Sequence, residues 1–569
     1  MVGRLAMTRL PCLLLAIPCT LAAHVGLFAS TTGCFSHDML IRDLADRLVQ
    51  DGHRVTMLQV RVYDFNRTIP AAKSSWAYVS FNRTCDESAV LQRRSQKLMW
   101  LTTLPFDHNN FDLESVRLFD KLYSYQLRAC FGALRDDAFM SRVRSLELDL
   151  LVVDYLLNEC ALGFAHAIMT SPNLVYISNY PVVSASVENM GVPSNPAFVP
   201  AVIGPETRPM SALGRALNTV LYIIMFILRV QFHFRALNTF KTAADIDLPS
   251  LTTYENRTLI FGTPFEMLLD SPRPLTTGLK YFGCEHCTGA EAKGNISRVL
   301  SVPVSARGIV LVSFGTVSRG DLIPLEQLVR LIRTFTRFPH HTIVWQLDAS
   351  RDYFEQAVAK ATNSTTLPGH VHVFPWIPLR SLLTDPRVVL MVSHGGVTTV
   401  SEAVNSGVPV LGVAIQGDQA FNLQRLVDKG MAEFVQVAKL KKDILLHKMT
   451  QMIQQNARYK KAALKMQTML HDYKSLEKQS PSTFWLNWSG KVPFGGTNHE
   501  KFRLYVIASN FGTFFILEAK KDRSVLYNTT NYGKAELGLQ YCKLVDLYCR
   551  LSIRYDMSID IARQRTRFC

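Results

Sequence analysis

Short apolar runs alternate with helical patterns twice along this chain, once near its start and again after residue 308. In the first stretch residues 24–29 are apolar and 30–35 form a loop of small residues. Leu40, Ile41, Leu44, Leu48 and Val49 then share one helical face that closes at Gly52. Residues 55–60 follow as a strand. A strand, loop, helix and strand within about 35 residues is a parallel βαβ unit, the opening of a doubly wound sheet. Residues 146–153 read as another buried strand, ending at Asp154. In the second stretch 309–314, 342–347, 371–374, 388–392 and 408–415 read as strands, 325–335 as a helix, and helical patterns fill the other gaps. This predicts an α/β chain of two doubly wound sheets, residues 24–288 and 308–490, joined by the polar linker 289–307. Ligands of such sheets bind at the carboxyl ends of the strands, so the cleft between the two is the expected site.

Length agrees with two lobes: at ~150 residues per domain, 569 residues suit two to four domains. The formal charge of +16 raises nucleic acid as a partner. The basic residues are dispersed, however, and no basic helix, finger or aromatic-and-basic sheet motif accompanies them, so no nucleic acid is expected. Arg4 and Arg9 precede an apolar core from Leu10 to Ala23 that ends in small residues, the order of a secretory signal over 1–23. That core is short of the about 20 residues a span needs. Seven Asn-x-Ser/Thr sequons, at Asn66, Asn82, Asn256, Asn295, Asn363, Asn487 and Asn528, fit a lumenal glycoprotein. Cys12 and Cys19 leave with the signal, and nine of eleven cysteines remain. Cys284 and Cys287 form one Cys-x-x-Cys without a second pair, so a loop disulfide or free thiols are expected there and no metal. Residues 219–228 are very apolar, but Arg229 stops them at half a span, which reads as a buried or surface-lying helix with peripheral membrane contact. The apolar stretch 504–517 is interrupted by Ser509, Asn510, Gly512 and Thr513 and receives the same reading.

Four successive strand ends in the second half carry the chemistry. Ser313-Phe-Gly-Thr316 offers small residues whose amides can approach an anion, though alone it is equally an ordinary tight turn. Phe374-Pro-Trp-Ile-Pro378 sets Trp376 between prolines, either as a plate for a base or as core. Ser393-His394-Gly395-Gly396 runs into a short helix that stops at Gly407. Its paired glycines let a phosphate reach the helix amides while His394 donates to the same anion. Thr398 and Thr399 lie in that helix's opening turn, and Glu402 within it can accept both hydroxyls of a ribose. Gln416-Gly-Asp418-Gln419 presents a carboxylate and an amide to a polyol. Together these describe a nucleotide diphosphate sugar.

The segment 376–419, with Val392-Ser-His-Gly-Gly396, Ser401-Glu-Ala403, Gly407-Val-Pro409 and Asp418-Gln419-Ala-Phe-Asn422, resembles the donor signature of the family-one UDP-glycosyltransferases. Phe35-Ser-His37, Leu44-Ala-Asp-Arg-Leu48, Gly52-His-Arg-Val-Thr56, Ser271-Pro-Arg-Pro274, Ser313-Phe-Gly-Thr316 and Phe484-Trp-Leu-Asn-Trp488 are similar to its animal branch of UDP-glucuronosyltransferases and UDP-glucosyltransferases. The likeness runs from about residue 24 to 490. It implies a GT-B fold of two Rossmann-like lobes, the first for the acceptor and the second for the UDP-sugar. It also implies His37 as catalytic base, oriented by Asp154, a role that a lone histidine would not otherwise receive. Ser313, Gly315, Thr316, Trp376, His394, Gly395, Gly396, Thr398, Thr399 and Glu402 are implied as UDP ligands, and Asp418 and Gln419 as sugar ligands. The implied reaction is inverting transfer of glucose or glucuronic acid from UDP-sugar to a hydroxyl of a small lipophilic acceptor, a detoxification chemistry needing no cofactor and no metal. It places the protein in the endoplasmic reticulum, membrane-associated or secreted, with a homo-oligomer as a further expectation.

Three positions depart from the family: Leu379 replaces a glutamine, Asp385 a histidine and Thr398 an asparagine. Asp385 is expected to repel a diphosphate. These departures motivate an alternative, a catalytically weak protein that binds UDP-sugar or a lipophile. Residues 491–569 form an extension that the resemblance does not explain.

Overall fold

Strands rich in aliphatic residues and buried on both faces build two parallel sheets, as expected where helices cover each side. The computed structural model describes residues 22–475, apart from 31–34, 63–75, 83–85, 102–112, 156–157, 170–172, 285–302, 317–319, 441–442 and a few positions between 193 and 277. It also describes three strands between residues 503 and 528. The first sheet comprises β1 (His24–Phe28), β2 (Arg54–Arg61), β3 (Ala77–Asn82), β4 (Leu150–Asp154), β5 (Leu174–Ile177), β6 (Ile260–Thr263) and β7 (Leu279–Tyr281). Its order is β3-β2-β1-β4-β5-β6-β7, and every pairing is parallel. The second comprises β8 (Ile309–Ser313), β9 (Thr342–Gln346), β10 (Val371–Phe374), β11 (Val388–Ser393), β12 (Val410–Ala414) and β13 (Ala432–Gln436). Its order β10-β9-β8-β11-β12-β13 is again wholly parallel. The order therefore reverses between β1 and β4 in one lobe and between β8 and β11 in the other.

Period-two alternation sorts each sheet's side chains into two cores. Val25, Leu27, Val55, Met57, Leu150 and Val152 pack on one face of the first sheet, while Phe28, Leu58, Leu151 and Val153 pack on the other. In the second sheet Val310, Val312, Ile343 and Trp345 face one way and Ile309, Leu311, Val344 and Met391 the opposite way. The predicted strands and helix Leu325–Phe335 fall where their residues indicated, with no end displaced by more than four positions. Residues 289–302 of the polar linker, 1–21 of the signal segment and Phe484-Trp-Leu-Asn-Trp488 lie outside the described residues.

The lobes touch at several points. Trp100, 1% exposed, leaves the helix Asp86–Met99 and packs among the second lobe's core residues, edge-on to Phe314 with ring centroids 5.3 Å apart. Lys474, near the end of the helix Asn456–Ser475, donates to Glu266 Oε1 at 3.0 Å, and Asn405 Nδ2 donates to the same oxygen at 3.0 Å. That junction includes Cys284, which is disulfide-bonded. A second disulfide, Cys130–Cys160, staples the helix Leu113–Leu134 to the helix Glu159–Ile168 just beyond β4.

Two expectations are corrected. The apolar run 219–228 does not stop at Arg229: it belongs to a 33-residue helix, Ala212–Ala244, capped by Ser211 Oγ accepting from the Gly214 amide. Arg229 continues the helix because its charge turns inward, paired with Glu255 and donating to the Tyr155 hydroxyl at 3.1 Å. Leu213, Val220, Ile223, Phe226, Ile227, Val230 and Phe234 stay exposed. Among the described residues it is the one helix long and apolar enough to cross a membrane by length and composition. The second correction concerns 504–517, which forms no helix. β14 (Arg503–Ser509), β15 (Gly512–Ala519) and β16 (Arg523–Asn528) make an antiparallel sheet, in keeping with their β-branched and aromatic content.

Candidate active site

Each of the two reversal points presents side chains to the cleft. At the first, Phe28 ends β1 and the helix Phe35–Gln50 brings His37 and Asp38 into its opening turn, where a carboxylate suits the positive helix end. Asp154 closes β4, the neighbour of β1. Asn158 Nδ2 donates to the Asp154 carbonyl at 2.9 Å and to the Ala29 carbonyl at 3.2 Å, so one amide pins both strand ends. His37 Nδ1 and Asp154 Oδ2 are 2.6 Å apart and both side chains are buried. With Nδ1 donating to the carboxylate, Nε2 becomes the proton acceptor. Burial by itself would lower the imidazole pKa, but the charge and hydrogen bond of Asp154, with Asp38 and Asp418 beyond, outweigh it and raise the value. Asp38 is buried beside this pair, and burial pushes its carboxyl up to about 6, although Gln59 Nε2 donates to it at 3.0 Å.

The second reversal point is built from backbone and a neutral ring. Gly315, just past β8, has φ +74°, and a Cβ there would come 2.5 Å from the His394 ring. Gly396 abuts the same ring from the other side, where a Cβ would approach Nε2 to 2.6 Å. The ends of β8 and β11 thus close around His394, and only glycine allows it. Burial lowers the His394 pKa to about 4, so the ring is neutral, and its Nδ1 is buried without a hydrogen-bond partner among the described residues. Thr398 and Thr399 are half-buried in the first turn of the helix Val397–Asn405, whose amides open toward the same place. Trp376 is 47% exposed just past the end of β10, so its ring is not part of the core.

Asp418 and Gln419 sit where the lobes meet. Gly417 packs against the Tyr180 hydroxyl, leaving no room for a side chain, and Tyr180 lies 6.4 Å from the His37 ring, centroid to centroid. Burial pushes Asp418 up to about 7, countered in part by a 2.6 Å hydrogen bond from Asn422 Nδ2 and by His37. Asn422 also donates to the Gly395 carbonyl at 2.9 Å, joining the sugar end of the cleft to the glycine pair. Gln419 Oε1 accepts from the Ile415 and Gln416 amides at 2.8 and 3.0 Å, so its NH2 is what it offers a hydroxyl. Glu402 is nearly buried and accepts from Arg380 Nε at 2.9 Å. Asp385 does not act as an unbalanced charge, because Arg387 forks onto it at 2.6–3.1 Å and the pairing holds its pKa below the usual carboxylate range. Sequence reasoning gave no role to Asp38, Tyr180 and Arg380, and quoted Asn422 only as part of the donor signature. Only Asn422 carried a signal, its i+4 spacing from Asp418 at the start of a helix.

Two doubly wound lobes with their reversal points face to face define the GT-B class of glycosyltransferase. Residues 28–494 match the family described as "UDP-glucoronosyl and UDP-glucosyl transferase", and the chain belongs to it. It is similar to UDP-glucuronosyltransferase 2B15 of Rattus norvegicus, 25% identical over 467 residues that cover 80% of this chain and 82% of the relative. UDP-glycosyltransferase UGT5 of Dactylopius coccus is 25% identical over 354 residues, covering 60% and 62%. Among solved structures, Os79 from O. sativa in complex with U2F and trichothecene shares the fold at TM-score 0.53 and 16% identity, covering 82% of this chain and 99% of that one. The protein is accordingly a UDP-glycosyltransferase of the hexosyltransferase class, with a UDP-sugar donor and an acceptor as substrates.

Proposed function

We propose that this enzyme moves glucose or glucuronic acid, with inversion, from UDP-sugar to a hydroxyl of a small lipophilic acceptor. The lobe 24–288 receives the acceptor and 308–490 the donor. The observation that carries this reading is the buried 2.6 Å pair of His37 and Asp154, set across the cleft from Asp418. As the acceptor oxygen attacks the anomeric carbon, His37 Nε2 takes its proton and Asp154 steadies the resulting imidazolium. The bond from the anomeric carbon to the UDP oxygen breaks in the same displacement. The leaving diphosphate is held by amides near Ser313, Gly315, Thr316, Gly395 and Gly396, by the opening turn with Thr398 and Thr399, and by a hydrogen bond donated from the neutral His394 ring. Trp376 stacks on the uracil, Glu402 accepts from the ribose, and Asp418 with the Gln419 amide holds the sugar hydroxyls.

The exposed apolar face of the helix Ala212–Ala244 supports peripheral contact with a membrane, from which a lipophile is delivered. The buried Cys130–Cys160 disulfide and exposed sequons at Asn82, Asn256 and Asn363 support a lumenal compartment reached through a cleaved signal. UDP release with UDP-glucose and UDP-glucuronic acid over a panel of phenols, comparing wild type with His37→Ala, tests the reading. Turnover with one donor, lost in the variant, is the expected result. The alternative of a weakly catalytic binding protein is favoured by Leu379 and Thr398, and it predicts thermal stabilisation by UDP without product.

A further inference from the structure

Arg380 lies in the short helix Leu379–Leu383, two residues past Pro378, and touches both lobes. Its Nε donates to Glu402 Oε1 at 2.9 Å, and its terminal nitrogen stands 3.8 Å from Asp43 Oδ2. Glu402 belongs to the helix that opens at the glycine pair, whereas Asp43 belongs to the helix that carries His37. The three side chains are 8–21% exposed, so this bridge lies inside the cleft and escapes most of the solvent screening that weakens surface pairs. A carboxylate accepts at both oxygens, about four positions in all, so the Arg380 bond fixes the plane of Glu402 without itself excluding a pair of hydroxyls.

We propose that Arg380 is a positioning residue for the donor: it orients Glu402 toward the ribose diol and, through Asp43, ties that seat to the helix bearing the base. This rests on the reading of Glu402 as ribose acceptor. Seating the nucleoside and closing the lobes then become one event, because the arginine that aligns the ribose contact is the one that crosses the cleft. Hydroxyl contacts at the ribose are strengthened when the lobes meet, and the anomeric carbon arrives at His37 only in the closed arrangement.

The test measures calorimetric Kd for UDP and for 2′-deoxy-UDP in wild type, Arg380→Met, Arg380→Lys, Asp43→Asn and the Arg380→Met/Asp43→Asn double variant, with thermal melts to confirm folding. Loss of a hydrogen bond to a charged group predicts about tenfold weaker UDP binding in Arg380→Met and partial recovery in Arg380→Lys. The preference for UDP over 2′-deoxy-UDP shrinks in Arg380→Met, which a merely structural role would not cause. Asp43→Asn weakens UDP less, and adds nothing further once Arg380 is gone. UDP affinity within twofold of wild type in a folded Arg380→Met, an unchanged 2′-deoxy preference, or independent effects of the two substitutions would overturn the proposal. Full turnover by His37→Ala would instead overturn the underlying reading of the reaction, so the two failures are separable.

Discussion

The two reversal points share a strand order but not a chemistry. Between β1 and β4 the site is made of side chains: His37 and Asp154 share a 2.6 Å hydrogen bond, Asp38 is buried beside them, and the neighbouring carboxylates raise the His37 pKa while burial raises that of Asp38. Between β8 and β11 it is made mainly of backbone, with Gly315 and Gly396 clasping a neutral His394. A proton acceptor needs a titrating group whose pKa lies near working pH, and carboxylates supply the field that sets it. A diphosphate needs several preorganised donors and no buried negative charge, which amides and a neutral imidazole supply at little cost in desolvation. One duplicated topology thus serves two tasks by changing what stands at the strand ends.

That contrast can be broken most severely at Asp154. Asp154→Asn keeps the shape but reverses the tautomer His37 needs, and kcat should fall about 10²–10⁴-fold with UDP Kd unchanged. A matching loss of UDP affinity would show that the two points are not separate. Next in size is the staple beneath the first point. Removing Cys130–Cys160 as Cys130→Ser, a cross-link over 30 residues, should cost roughly 3–4 kcal/mol in the chain-entropy account, read as a lower denaturation midpoint. At the second point Gly315→Val drives a side chain into the His394 ring. UDP Kd should weaken about 10–100-fold while kcat at saturating donor changes little.

The smallest effect is a shift in pH dependence. Because His37 is raised above 6.5 in the folded enzyme, kcat/KM should decline as pH falls through that raised value, where the base becomes protonated. Asp38→Asn removes one of the charges that raise it. The acid limb should then move to lower pH, measured as the midpoint of the kcat/KM profile.

How much of this was legible depended on whether the information was local. β10, the helix Leu325–Phe335 and the glycine pair could be read because periodicity and turn chemistry are written in neighbouring residues. Arg229 misled for the opposite reason: a charge ends an apolar run in sequence, but its partner Glu255 is 26 residues away and lets the helix continue. Arg380 gave no sign of its role, since Glu402 and Asp43 reach it only through the packing of two lobes. The raised carboxyl of Asp418 likewise follows from burial at the lobe junction, and no residue next to it announces that. The carbonyl oxygen of Gln419 caps its own loop, a contact set by the turn's backbone that side-chain chemistry alone does not announce.

The central claim is that the buried His37–Asp154 pair is the base in transfer from a UDP-sugar. Single-turnover UDP release with saturating donor and phenolic acceptor, compared between wild type and His37→Ala at equal UDP occupancy, addresses it directly. The account predicts product from wild type and a rate about 10²–10⁴-fold lower in the variant, with UDP Kd the same in both. Equal rates in the two proteins would contradict it.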